Sequence, residues 1–377
     1  MDSDIFTNNS MVIDMGSSQI KAGLAGDDKP KVIFNSYIGR PKYKALPIAT
    51  NSQEIYVGNQ ITDYSRGMMK IKYPYQKGVI KDMNDMDQLW KYTFQELHGN
   101  PKEYPILLTE PPYASQTQKV EIAKQFFETY NCPALFFAVS GVISLFASGK
   151  TTGVVLDIGD TISQSIPIYD GFYIQHCAQR VDLAGRDITE NLNNLLRRTG
   201  YIFTTSAEFE IIKKIKEKRC FLSPAMIGED KFQEERKIKD QYMLPDNSMI
   251  EMSFEKQRAP EILMCPEKYG LELNSIPEIL AYSIQKVDLD LRKPLYSEIV
   301  LTGGTSLMQG FPERLIGEVK RLVSKDVKVK IWAPPERVTQ SWQGGSILSH
   351  LASFRSMWIL KKEFEEEGER ILIKKQL

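Results

Sequence analysis

The chain has 377 residues, 42% hydrophobic and 25% charged, with 48 basic side chains against 48 acidic ones. That length suits two domains of roughly 150–200 residues better than one core. The even charge excludes a bulk electrostatic pull toward nucleic acid or a membrane surface. Cys132, Cys177, Cys220 and Cys265 are scattered without CxxC spacing, which points to reduced thiols of the cytosol or nucleus and away from zinc. Residues 1–10 are polar and acidic, unlike a signal peptide. The longest apolar stretch, 134–149, is broken by Ser140, Gly141, Ser144 and Ser148. It is short of the ~20 residues of a bilayer span, so a buried core helix is expected and no membrane insertion.

In chain order, the pattern predicts a hairpin of strands 11–15 and 19–25, closed by a Gly-Ser-Ser turn. Residues 40–66, with Pro41, Pro47, Asn51 and Ser52, read as an exposed, mobile excursion. A helix follows over 86–97, a buried strand over 105–109, and an amphipathic helix over 115–130 started by Ser115. Strand 134–137 leads into a buried helix over 140–148. A second hairpin spans 153–157 and 162–169. Helices are predicted over 187–199 and 206–221, the latter with Ser206 as cap and Glu208 in its first turn. Residues 226–252 read as a charged surface loop with a peripheral hairpin. Helix 276–286, strand 298–301 and helix 310–323 come next, before a charged C-terminal segment over 361–370. Strands alternating with helices indicate an α/β fold.

One phrase occurs twice. Residues 11–18 read Met-Val-Ile-Asp-Met-Gly-Ser-Ser, and residues 154–161 read Val-Val-Leu-Asp-Ile-Gly-Asp-Thr. Each is a buried-strand run ending in Asp, any residue, Gly and small polar groups. Either alone reads more readily as a plain tight turn. The repeat implies two similar halves with a ligand between them. Gly allows a tight turn with exposed N–H groups that cradle phosphate. Asp14 and Asp157 would repel phosphate directly, so a divalent cation belongs between them, and Mg²⁺, which keeps most of its waters, fits. A third strand runs into Gly303-Gly304-Thr305, where bare backbone accommodates a flat base or ribose. The three together read as a nucleoside triphosphate clamp.

The chain resembles the actin family, within the wider class of actin-like ATPase folds, essentially end to end. The resemblance rests on Lys72-Tyr73-Pro74, Gly149-Lys150-Thr151-Thr152-Gly153-Val154-Val155-Leu156-Asp157 and Pro167-Ile168-Tyr169-Asp170-Gly171-Phe172. It rests equally on Asp182-Leu183-Ala184-Gly185-Arg186-Asp187, Ile215-Lys216-Glu217-Lys218 and Trp342-Gln343-Gly344-Gly345-Ser346-Ile347-Leu348. The stretches 325–331, 258–263 and 361–368 are more similar to the centractins, which build the short filament of dynactin. The acidic N-terminal cluster of conventional actins is absent.

The resemblance implies two duplicated α/β domains with a nucleotide cleft between them. The first would take 1–147 and a C-terminal return over 339–377, with a peripheral part at about 36–72. The second would take 148–338, with a peripheral part at about 186–270. ATP or ADP with Mg²⁺ is implied, the metal held through water by Asp14 and Asp157. Gly16, Ser17, Ser18, Gly159, Asp160 and Thr161 would wrap the phosphates, with Lys21 as a point charge. Lys216 and Glu217 would flank the adenine, with Gly303, Gly304 and Thr305 on its other side, and Gly185 is a further nucleotide-binding position. By helix pattern alone, Lys216 and Glu217 read as a solvated face.

Four departures follow from the same comparison. Ser140 stands where actins place a water-positioning Gln, and Gln164 where they place a proton-relaying His. Ser is too short for that water, and Gln takes up no proton at neutral pH. Losing a positioned acid or base costs roughly 10²- to 10⁴-fold in rate, so slow hydrolysis at most is expected. Thr161 replaces a Gly, adding a Cβ at the phosphate turn, and Lys77 replaces a His beside the sensor loop.

The family's partner groove maps to Phe146, Ala147, Ile347, Leu348, Leu351 and Met357, although i, i+1, i+4 spacing also describes ordinary helix core. The 40–66 excursion matches the loop that inserts into the next subunit, a heterologous contact that propagates a filament. Implied partners are further copies of the chain, capping and dynactin-type subunits, and actin, in the cytoplasm and cytoskeleton. A divergent conventional actin is the alternative. A small-molecule kinase on the same fold would need a general base, and no candidate exists beyond the two metal carboxylates.

Overall fold

The computed structural model describes residues 8–42, 54–224 and 240–375. One strand pattern is built twice. Met11–Met15 pairs antiparallel with Gln19–Leu24 and parallel with Ile106–Glu110. Gly153–Ile158 likewise pairs antiparallel with Ser163–Tyr169 and parallel with Ile299–Thr302. The first sheet extends through Val32–Asn35 at one edge and through Ala134–Val139 to Ile359–Leu360 at the other. The second extends to Phe172–Tyr173 and to Ile331–Trp332, and Gln179–Val181 also pairs with Ser163–Tyr169.

Both sheets are covered on both faces, so their central strands are apolar throughout rather than alternating. The period of two still decides which side chains meet. Ile13, Leu108 and Leu135 face Trp90 and Phe126, while Val12, Leu107 and Phe136 face Trp342 and Trp358. In the second sheet Val154, Leu156 and Ile299 join the larger core, and Val155 and Val300 the smaller one under Val142 and Leu145.

The chain passes from the first sheet to the second through helix Ser140–Ala147 and returns through helix Gln340–His350. These helices touch backbone to backbone: a Cβ on Gly344 would stand 1.7 Å from the Ile143 carbonyl oxygen. Trp342 Nε1 donates to Val12 O at 3.0 Å, pinning the return helix to the first strand.

Several local expectations change. Residues 43–53 of the 40–66 excursion lie outside the described residues. The described part of it belongs to a small sheet: Ile38–Pro41 pairs with Tyr56–Val57 and Met69–Lys72 over Tyr37, Ile61, Met69 and Ile71. Pro41 ends a strand there instead of marking a loop. The 115–130 helix is α only over Gln116–Lys124 and widens to a π turn over Gln125–Thr129, where Tyr130 N–H reaches Gln125 O. Ser206 is not a cap. Thr205 caps helix Ser206–Arg219 by accepting from Glu208 N–H, and Ser206 Oγ instead accepts Ile71 N–H from the peripheral sheet. Residues 225–239 lie outside the described residues, and the hairpin Asp240–Met243 with Met249–Met252 follows. The charged C-terminal segment forms two short helices, Lys361–Glu367 and Arg370–Lys374.

Candidate functional site

The two hairpin turns face one another across a cavity of about 590 Å³. Each turn closes in the same way: Gly16 N–H donates to Gln19 O at 3.1 Å and Gly159 N–H to Ile162 O at 3.0 Å. The glycine amides are thus consumed by the turns, and the donors left over are those of the residues that follow them. The N–H groups of Ser17, Ser18, Asp160 and Thr161 make no hydrogen bond with the described residues. Unpaired backbone donors clustered on two facing turns are what an anion requires. The Asp160 carboxylate is drawn aside by Arg186, whose Nη2 lies 3.1 Å from it and whose guanidinium sits over the Tyr73 ring.

Strand register sets the charges beneath these turns. Asp14 lies opposite Lys21, and Lys21 Nζ reaches Asp14 Oδ2 at 2.9 Å. Thr109 Oγ1, from the parallel neighbour, donates to Asp14 Oδ1 at 2.8 Å and accepts Met15 N–H. Asp157 lies opposite Gln164, which has no charge to offer. Burial, with the Asp14 carboxylate as a second cause, pushes the Asp157 carboxyl up to about 6. Among the described residues no three His, Cys, Asp or Glu cluster to grip a bare ion. Two carboxylates, one of them uncomfortable without a counter-charge, suit a cation that keeps its waters. The residues therefore fit Mg²⁺.

On the far wall, helix Gly185–Arg198 begins at the second turn, with Gly185 N–H donating to Gly159 O at 3.1 Å. Lys216 is buried and donates to Gly185 O at 2.8 Å, which overturns the solvated-face reading for it. Burial lowers its pKa. Glu217 is exposed at the rim. Gly303 has φ +87°, and a Cβ there would fall 2.2 Å from Ile158 O and 2.7 Å from Asp157 Oδ1. Gly304 has open space instead, and Thr305 Oγ1 donates to Gly159 O at 2.7 Å. Thr305 thus braces the second turn as well as lining the cavity.

Ser140 and Gln164 both line the cavity. Gln164 is 2% exposed, and its Oε1 has no hydrogen-bond partner among the described residues. Thr161 does more than add bulk. Its Oγ1 lies 2.9 Å from Ser17 Oγ and accepts Lys77 N–H at 2.9 Å. Three residues escaped the sequence reading. Thr109 orients Asp14. Lys213 Nζ donates to Ser18 Oγ at 2.6 Å, and its place one turn before Lys216 on the same helix was the available signal. Lys119 pairs with Glu110 at 2.7 Å, and burial still raises the Glu110 carboxyl.

The six groove residues divide. Leu348 is core, packed with Trp342 and Trp358, and Met357 packs against the same cluster. Phe146 packs against a different cluster, and Ala147 is half-buried. Ile347 and Leu351 are each 49% exposed, an i, i+4 pair on one side of the return helix and its C-terminal end. Among the described residues no helix is long and apolar enough to cross a membrane.

The family model described as Actin matches residues 6–377. The chain is 43% identical, over 373 residues and 98% of each chain, to an actin-like protein of Neurospora crassa.

Proposed function

Because the chain belongs to the actin family, whose members in general bind nucleotide with a divalent metal and assemble into filaments, we propose that it is a nucleotide-holding filament subunit. The observation that carries this reading is the set of four unpaired amides at Ser17, Ser18, Asp160 and Thr161 on two facing turns. ATP or ADP would rest its phosphates there, with Lys21 and Lys213 beside the first turn. Asp14 and Asp157 would hold Mg²⁺ through its waters, and the cation would neutralise charge between carboxylates and phosphate. Gly185, Lys216 and Glu217 would flank the nucleoside opposite Gly303, Gly304 and Thr305.

Hydrolysis is slow in this reading. Ser140 carries a single short hydroxyl, and Gln164 can hold a water but cannot take its proton. The chain then spends its binding energy on keeping the cleft shut rather than on turnover. The finer assignment is a centractin-type subunit of the short dynactin filament, serving dynein-based transport on microtubules. It is supported by the stretches 325–331, 258–263 and 361–368. The alternative is a divergent conventional actin.

Titration with a fluorescent ATP analogue tests the site: submicromolar binding that needs Mg²⁺ is expected, and no binding refutes it. A phosphate-release assay at the filament-stimulated rate of ordinary actin would overturn slow hydrolysis. Negative-stain microscopy of the protein purified with its native partners tests the finer assignment. Short rods of uniform length with capping and coiled-coil proteins are expected; long filaments of variable length would favour the conventional actin.

A further inference from the structure

Glu110 and Gln164 both line the cavity, and each has a buried oxygen without a hydrogen-bond partner among the described residues, Glu110 Oε2 and Gln164 Oε1. A buried acceptor left without a donor costs free energy, so each calls for an account. Glu110 ends strand Ile106–Glu110, one residue beyond Thr109, which holds Asp14. It lies opposite Val139, the residue before Ser140 and its helix. Gln164 lies opposite Asp157 across the second hairpin. The two orphan acceptors thus come from different halves of the molecule and line one cavity.

Only one of the two side chains can change its charge. Glu110 is 9% exposed, and its other oxygen, Oε1, lies 2.7 Å from Lys119 Nζ. Burial raises the Glu110 carboxyl, and Lys119 opposes the rise. The other titratable groups facing it are phenols, Tyr75 of the Tyr75–Gln76 strand and Tyr173 at the edge of the second sheet, and burial raises both. They stay neutral at physiological pH, so Lys119 supplies the charge set against Glu110. Water suits both orphans, because it has two protons to give. A water that donates one proton to Glu110 Oε2 and the other to Gln164 Oε1 keeps its lone pairs for a third party. It is then oriented as a nucleophile.

We propose that Glu110 and Gln164 hold the water that attacks the terminal phosphate of ATP, and that Glu110 is the base that takes its proton. A bond forms between the water oxygen and the terminal phosphorus. The bond from that phosphorus to the bridging oxygen breaks, and ADP departs with the electron pair. The water's proton passes to Glu110 Oε2 and from there to solvent, leaving hydrogen phosphate. A carboxylate raised above its ordinary range is a better base, and Lys119 restrains that gain, in keeping with slow turnover. The proposal rests on the nucleotide reading above and deepens it, supplying the proton acceptor that Ser140 and Gln164 cannot be.

The test uses the full chain with Mg²⁺ and ATP under single turnover, with protein in excess so that affinity does not set the rate. Carboxyl-carbon NMR of the chain, without nucleotide and with ADP, is compared with Glu110→Gln to assign the Glu110 signal and follow its titration. That titration is expected above the usual carboxylate range, and hydrolysis is expected to rise with pH through it. Glu110→Gln should lower the rate about 10²-fold and remove this pH dependence, and Glu110→Asp should restore part of both. If Glu110→Gln fails to fold with Lys119 unpaired, Glu110→Gln combined with Lys119→Met removes both charges. An unchanged rate, or a lower rate with its pH dependence intact, overturns the proposal. ATP bound without any hydrolysis overturns it too but leaves the nucleotide reading standing, whereas no binding of a fluorescent ATP analogue refutes that reading as well.

Discussion

The two phosphate turns have the same backbone and opposite electrostatics. Asp14 faces Lys21 across its hairpin, whereas Asp157, at the same place in the repeat, faces Gln164. The first carboxylate is paired and held by Thr109, and the second is left near pKa 6 by burial and by its twin. The two turns share their backbone, but one half keeps a counter-charge within the protein and the other sets an uncharged Gln164 there. In the proposed nucleotide site, a cation's charge would be needed most on the second half.

That asymmetry can be broken at several points. The largest effect is expected at Gly303, which shields Asp157 from behind. Gly303→Ala forces a Cβ against Ile158 O at positive φ and should cost about 4 kcal/mol, whereas Gly304→Ala, in open space, should stay within about 0.5 kcal/mol. Urea denaturation of the two variants checks this, and equal stabilities would remove the close approach from the account. Next, Lys21→Met leaves Asp14 buried and unpaired beside Asp157 and should cost about 3 kcal/mol without metal. Calorimetry with and without Mg²⁺ and ADP reads both the loss and its partial recovery.

A third prediction concerns pH. The Asp157 carboxyl is raised in the folded chain to about 6, against about 3.9 unfolded, so its stabilising contribution is complete at low pH and is lost as pH rises through about 6. Metal-free protein should lose about 1–2 kcal/mol from this group between about pH 5 and pH 7.5. Asp157→Asn should flatten that slope, measured as melting temperature against pH. The smallest effect is expected away from the carboxylates. Ser206→Ala removes the acceptor for Ile71 N–H, costing about 1 kcal/mol and raising exchange at Ile71 without altering the pH slope.

Much of this was legible in the chain. The repeated phrase exposed both hairpins because buried central strands carry continuous apolar runs, and its aspartates fell at the strand ends as expected. What stayed hidden depends on pairing between distant segments. Thr109 meets Asp14 only because their strands lie parallel with Ile13 opposite Leu108. Which amides of the two turns stay unpaired was also hidden, since a turn must first spend one on closing itself, here those of Gly16 and Gly159. Ser206 looked like a cap because Ser and Thr are interchangeable there, and its partner strand is far away in sequence. Lys216 followed no surface rule because the carbonyl it serves belongs to another helix.

The two helices that carry the chain between the sheets, joined where Gly344 lies against Ile143, have a mechanical consequence. A single tether would let the halves swing and twist about any line. Two tethers fastened side by side act as the paired pins of a door, suppressing torsion and leaving rotation about one axis. Any closing of the proposed nucleotide cleft would then follow a single coordinate, so that a ligand bridging the two turns at one rim would limit it along the whole hinge line.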